Sequence, residues 1–123
     1  IEGLCFGFRE LAEKMHLPLE KYGTVKVVGG GAKSPVWLQT MANVLNIAVE
    51  KMEGMIGPAF GIALLAAYKG GSITSLEQIS EGNVKIECRH EPDAEAVKAC
   101  QQKYEKYLRI RSGLQYIKNG VIE

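Results

Sequence analysis

Three consecutive glycines, Gly29, Gly30 and Gly31, run into Ala32, Lys33, Ser34 and Pro35 within the segment VKVVGGGAKSPVWLQTMANVL. A β-branched run, Val25–Val28, leads in, and an amphipathic helical pattern leads out. A glycine turn between a strand and a helix N-terminus suits an anion: backbone N–H groups point outward, the helix dipole favours negative charge, and missing Cβ atoms let a ligand lie against the main chain. The same residues also suit a plain tight turn with no ligand. Two nucleotide fingerprints can be laid on them. A Walker A loop, G-x-x-x-x-G-K-[ST], aligned on Lys33-Ser34 puts Ala32 and Val27 where its glycines belong, and so fails twice. A Rossmann fingerprint, Gly29-x-Gly31-x-x-Ser34, lacks its third glycine and has Glu50 at the end of the next predicted strand, where a carboxylate would meet a ribose hydroxyl. Against it, Ser34-Pro35 stands where glycine permits close helix–strand packing.

The other chemistry-bearing residues form no comparable group. Glu10, Glu13, Glu95 and Glu105 fall on predicted outer helix faces and read as solvated charges. His16 closes a helix, and Cys88-x-His90 is a single pair with no further ligand pair, too few for a structural metal. Cys5, Cys88 and Cys100 are odd in number and far apart, which argues against a disulfide framework and for a cytoplasmic compartment. No catalytic residue and no metal ligand is assigned. Trp37, the single tryptophan, is read as core or pocket wall on the first turn of its helix, and Tyr104 with Tyr107 as packing at helical spacing.

The elements that must position the turn follow from periodicity. Ile1, Leu4, Phe8, Leu11, Ala12 and Met15 recur every three or four residues, as on the inner face of a helix ended by Leu17-Pro18. After the strand Val25–Val28 and the glycines, Ser34 is the N-cap and Pro35 the first residue of a helix with Trp37, Thr40, Met41, Val44 and Leu45 inward. Asn46 stops it, and a second strand, Ile47–Glu50, completes a strand–helix–strand unit, the mark of an α/β fold. The small-residue segment GPAFGIALLAAY predicts a closely packed buried helix ended by Gly70-Gly71. A short helix is expected near Ser75, an extended piece over Val84–Cys88, and a long helix opened by Pro92-Asp93 with Val97, Cys100, Tyr104, Tyr107 and Leu108 inward.

The chain has 123 residues, a net charge of +1, and 46% apolar and 24% charged residues, the composition of one globular domain. Near-zero charge gives no footprint for nucleic acid or a membrane surface, and no apolar stretch is long enough to span one, so small ligands are the expected partners. Two convincing strands are few for an α/β domain, so further strands are expected upstream of Ile1 in a longer parent. Surface bared by such a cut would make a homo-oligomer a reasonable expectation.

VVGGGAKSPVWLQTMANVLNIAVE, GPAFGIALLAAYKGG and EPDAEAVKACQQKYEKYL together resemble the C-terminal domain of the FGGY carbohydrate kinases, most like the xylulokinase branch. The likeness runs from IEGLCFGFREL to about Arg109. It implies a ribonuclease-H-like, actin-like ATPase lobe over residues 1–110, incomplete at its N-terminus, with a tail over 111–123. It further implies that Gly29, Gly30, Gly31, Ala32, Lys33 and Ser34 hold the adenosine end of ATP, with Pro35 beside the base. Gly57–Ala63 would then be a helix near the hinge between lobes, although Ile56 stands where relatives commonly carry an acidic residue. The implied reaction moves the γ-phosphoryl of Mg²⁺-ATP to a ketopentose such as D-xylulose. The sugar pocket, Mg²⁺ ligands and catalytic base are expected on the other lobe, leaving this fragment inactive alone.

Overall fold

The computed structural model describes residues 1–53, 58–75 and 85–121. Helix α1 (Glu2–Lys14) and the single turn α2 (Leu19–Tyr22) lead to strand β1 (Thr24–Val27). A one-turn 3-10 helix, Gly30–Lys33, then precedes α3 (Pro35–Leu45), β2 (Ala48–Met52), α4 (Pro58–Lys69), β3 (Ile86–His90) and the long α5 (Ala94–Val121). Among the described residues the sheet has the order β1-β2-β3. β1 runs parallel to β2, with Val25 opposite Val49, and β3 runs antiparallel to β2, with His90 opposite Val49. The α/β expectation holds, with β1–α3–β2 as its unit. The short helix expected near Ser75 lies largely outside the described residues, as does Val84.

Local chemistry fixes α3 at both ends. Ser34 adopts an extended conformation, and its hydroxyl accepts a 3.3 Å hydrogen bond from the Trp37 N–H, while Pro35 fills the first helical position without wasting a donor. At the other end Asn46, with φ of 51°, takes the left-handed conformation that stops the helix. Between these caps Leu38, Met41, Ala42 and Val44 are buried against Cys5 and Phe6 of α1, Val49 of β2, and Cys100 and Tyr104 of α5. Helix α3 is therefore the central member of the core.

Two predicted faces are corrected by the structure. On α1, Ile1, Leu4, Phe8, Leu11 and Met15 are exposed, whereas Cys5, Phe6, Glu10 and Ala12 are buried. The helix has two apolar sides, and the one turned inward lies beside acidic residues that α5 can use. Glu13 accepts from the Tyr104 hydroxyl at 2.7 Å, Glu10 from the Tyr107 hydroxyl at 3.3 Å, and Glu2 pairs with Lys103 at 2.6 Å. Glu10 also pairs with Lys14 and Arg111. Polar groups brought inside must find partners, and turning the helix the other way would leave the buried Tyr104 hydroxyl without Glu13. Glu10 is thus a buried clasp between helices instead of a solvated charge.

Helix α4 is the second correction. Predicted to be buried, it leaves Ile62, Leu65 and Tyr68 exposed, with Phe60, Leu64 and Ala67 half-buried. Apolar residues surround this helix on all sides, and a single neighbouring surface can cover only one of them. Its expected end holds: Gly71, with φ of 77°, follows the last turn, and the N–H of Ser72 returns to the Ala67 carbonyl at 2.9 Å. Helix α5 begins where Asp93 caps the Ala96 N–H at 2.8 Å and continues unbroken through residue 111, where the tail was expected to start. Arg111 is held by Glu10, while Leu114, Tyr116 and Ile117 beyond it are exposed.

Tyr104 makes this core sensitive to alkali. Its ring is 2% exposed, packs 5.7 Å from the Phe6 centroid, and lies under the Arg9 guanidinium. Burial, and then the hydrogen bond to Glu13, push its hydroxyl well above the usual tyrosine range. The unfolded chain therefore loses this proton first, and stability present at neutral pH declines as pH rises above about 10. A Tyr104→Phe variant should flatten that alkaline decline in a series of chemical denaturation curves, and an unchanged slope would remove Tyr104 as its cause.

Candidate functional site

The segment after β1 is more structured than a bare turn. Gly29, at φ 89° and ψ −164°, reverses the chain in a region open essentially to glycine alone. Gly30–Lys33 then form the one-turn 3-10 helix, with the Ala32 N–H on the Gly29 carbonyl and the Ser34 N–H on the Gly31 carbonyl, both at 3.2 Å. Ala32 is buried at 5% exposure and pins the turn to the core, while Gly29, Gly30, Gly31 and Lys33 are exposed. All six residues expected to hold a ligand, Gly29 to Ser34, therefore lie in one continuous ledge at the start of α3. Its leading N–H groups, like those of any helix start, have no partner within the helix. Lys33 is the one charged side chain in the ledge.

The glycines are not equivalent. A Cβ at Gly30 would meet nothing within 4 Å, and one at Gly31 would touch the Trp37 indole nitrogen at 3.4 Å, an ordinary contact. Only Gly29 has a backbone that demands glycine. The fold thus explains Gly29 and leaves Gly30 and Gly31 as an open, side-chain-free shelf. Trp37 backs this shelf and meets Phe8 of α1 edge-on, with ring centroids 6.3 Å apart. Sequence reasoning left Trp37 between core and pocket wall and missed Phe8, because a contact between α1 and α3 has no local signature.

Glu50, the residue that a dinucleotide site would need, is placed elsewhere. It stands within β2, not at its end, is 4% exposed, and pairs with Arg89 at 2.9 Å. A carboxylate so occupied is not presented to a ribose. Gly57 and Ile56, part of the expected hinge segment, lie outside the described residues. Among the described residues no group of three or more His, Cys, Asp or Glu could hold a metal ion. Nor is any described helix long and apolar enough to cross a membrane.

Comparison with known proteins shows the family and the fold. Residues 1–70 match the model of the FGGY family of carbohydrate kinases, C-terminal domain. A xylulose kinase of Bacillus subtilis is 34% identical over 110 residues, covering 89% of this chain and 22% of that protein. The crystal structure of a ligand-bound xylulose kinase from Lactobacillus acidophilus superposes with a TM-score of 0.82 at 22% identity, over 93% of this chain and 23% of that one. A gluconate kinase from Lactobacillus acidophilus gives 0.78 at 21% identity, over 92% and 23%. The fold is thus that of the actin-like ATPase sugar kinases, and the chain spans about a fifth of the length of the relatives it matches. The chain belongs to the FGGY family of carbohydrate kinases, matching part of their C-terminal domain.

Proposed function

We propose that this chain is the nucleotide-binding part of a cytoplasmic sugar kinase, and that the ledge Gly29–Ser34 receives the adenosine end of ATP. The observation that carries this reading is the shelf at Gly30 and Gly31, where side chains are absent without the fold requiring it. A flat nucleoside can lie on such a backbone, with the leading N–H groups and Lys33 facing its α-phosphate and Trp37 backing the shelf. The parent protein would pass the γ-phosphoryl of ATP to a sugar hydroxyl, a ketopentose such as D-xylulose being favoured by the identity to xylulose kinases. Phosphoryl transfer also needs a cation to neutralise the moving charge and a carboxylate to take the hydroxyl proton. Those tasks are assigned to the rest of the parent. What this chain's residues do is bind and orient the nucleotide.

Amide NMR tests the reading on the labelled chain. Mg²⁺-ATP should shift Gly29 to Ser34 and the Trp37 indole, while NAD⁺ should leave them in place. Shifts with NAD⁺ alone would overturn the kinase assignment at this ledge. Sugar-dependent ADP formation by the pure 123-residue chain, expected to be absent, would show that the catalytic groups were misplaced.

A further inference from the structure

On the far side of β2 from the strand that feeds the glycine ledge, Cys88 and His90 lie two residues apart on β3 and so on one face of the sheet. The Cys88 Sγ is 3.8 Å from His90 Nε2, and His90 Nδ1 is 3.2 Å from the Gln39 Oε1 of α3. Proton positions along this relay follow from its far end. The Asp93 N–H is a donor and can only give, so the Asn43 atom facing it at 2.9 Å is the carbonyl oxygen. That oxygen also lies 3.1 Å from the Gln39 amide nitrogen, which donates in addition to the Glu91 carbonyl at 2.7 Å. Both neighbours of the Gln39 nitrogen accept, so the orientation of this amide is settled, and its oxygen faces His90. His90 must then carry a proton on Nδ1, and in the neutral ring this leaves the Nε2 lone pair facing the Cys88 thiol.

We propose that Cys88 is a reactive thiol, with His90 as its general base and Gln39 as the residue that positions the imidazole, and that it forms a mixed disulfide with low-molecular-weight disulfides. A nucleophile, a base within reach and a third group orienting the base is the arrangement that activates cysteine elsewhere. In the step, Nε2 takes the thiol proton as sulfur attacks one sulfur of the small disulfide. The S–S bond of the reagent breaks, a Cys88–sulfur bond forms, and the departing thiolate receives the proton from the imidazolium. Cys88 is oxidised, and half of the reagent leaves reduced as a thiol. The other two cysteines are unsuited: Cys5 and Cys100 are 0% and 7% exposed, and burial pushes both thiols up. Cys88 is only half-buried, packed against the core cluster, and is the most accessible of the three cysteines. Lys51, its cross-strand neighbour, is held by Glu87 at 2.5 Å and does not compete for the relay.

The test begins with the intact chain and glutathione disulfide at neutral pH, followed by peptide mass mapping. One adduct, on Cys88, is expected; first reaction at Cys5 or Cys100, or no adduct at all, overturns the proposal. Stopped-flow rates with an aromatic disulfide should fall about tenfold or more in His90→Gln. Equal rates in the two proteins would mean that exposure alone makes Cys88 react. A readout that needs no variant is the imidazole ¹⁵N spectrum of the unmodified chain: a ring carrying its proton on Nδ1 supports the relay, and one carrying it on Nε2 overturns it.

Discussion

Replacing Gly30 by valine should weaken binding of Mg²⁺-ATP by about tenfold or more, about 1.4 kcal/mol, while leaving thermal unfolding of the chain unchanged. The backbone at Gly30 is compatible with any L residue, and a Cβ there meets nothing within 4 Å, so the fold has no reason to resist the change. What the new side chain fills is the shelf on which the nucleoside is proposed to lie. Gly29→Ala should show the opposite pattern. At φ 89° and ψ −164° an alanine is strained by about 1–3 kcal/mol, and that cost appears as lost stability. Measured side by side, by titration and by denaturation, the two variants separate a ligand shelf from a structural turn. Equal ATP affinity in Gly30→Val and the parent chain would leave the turn with a structural role only.

The second large effect is on stability. Leu38→Ala should cost about 2–5 kcal/mol, the range for emptying a well-packed site that cannot collapse. Leu38 is 1% exposed at the centre of α3, inside the cluster built by α1, β2 and α5. Against a total stability of about 5–15 kcal/mol for an ordinary domain, this loss brings the chain near its unfolding threshold. Leu4→Ala is the matched control. Both leucines sit at apolar helical positions, but Leu4 is 64% exposed, so its truncation should change stability by no more than about 0.5 kcal/mol. Urea denaturation of the pair decides the matter, and comparable losses would mean that the exposed side of α1 is covered in solution.

Such a pair exposes the limit of periodicity. Pattern alone put Leu4, Phe8 and Leu11 inward, because a stripe at three- and four-residue steps is the usual sign of a core face. It could not register that Cys5 and Phe6, together with Ala12 of the predicted stripe, make a second, smaller apolar side on the same helix. Choosing between the sides required α5, whose Tyr104, Tyr107, Lys103 and Arg111 take up the carboxylates of Glu13, Glu10 and Glu2. Those partners lie some ninety to a hundred residues away in the chain, beyond the reach of any local rule. The exposure of α4 has a similar origin, since hydrophobicity spread around a helix says that it wants cover without saying which neighbour provides it.

Sequence by itself determined what depends on a few adjacent residues. It fixed the cap at Ser34-Pro35, the left-handed stop at Asn46, the turn at Gly29, the cap at Asp93 and the strand–helix–strand order, because each is a contest between backbone conformations decided within one or two turns of chain. It also carried enough of the glycine segment and the helices around it to point to the right family. Tertiary structure alone decided which side of α1 faces the core, that Glu50 is spent on Arg89, that Phe8 meets Trp37 beside the ledge, and that Gln39 aims His90 at Cys88. Each of these joins residues from separate elements, and only the packing of those elements brings the partners within hydrogen-bond or van der Waals range.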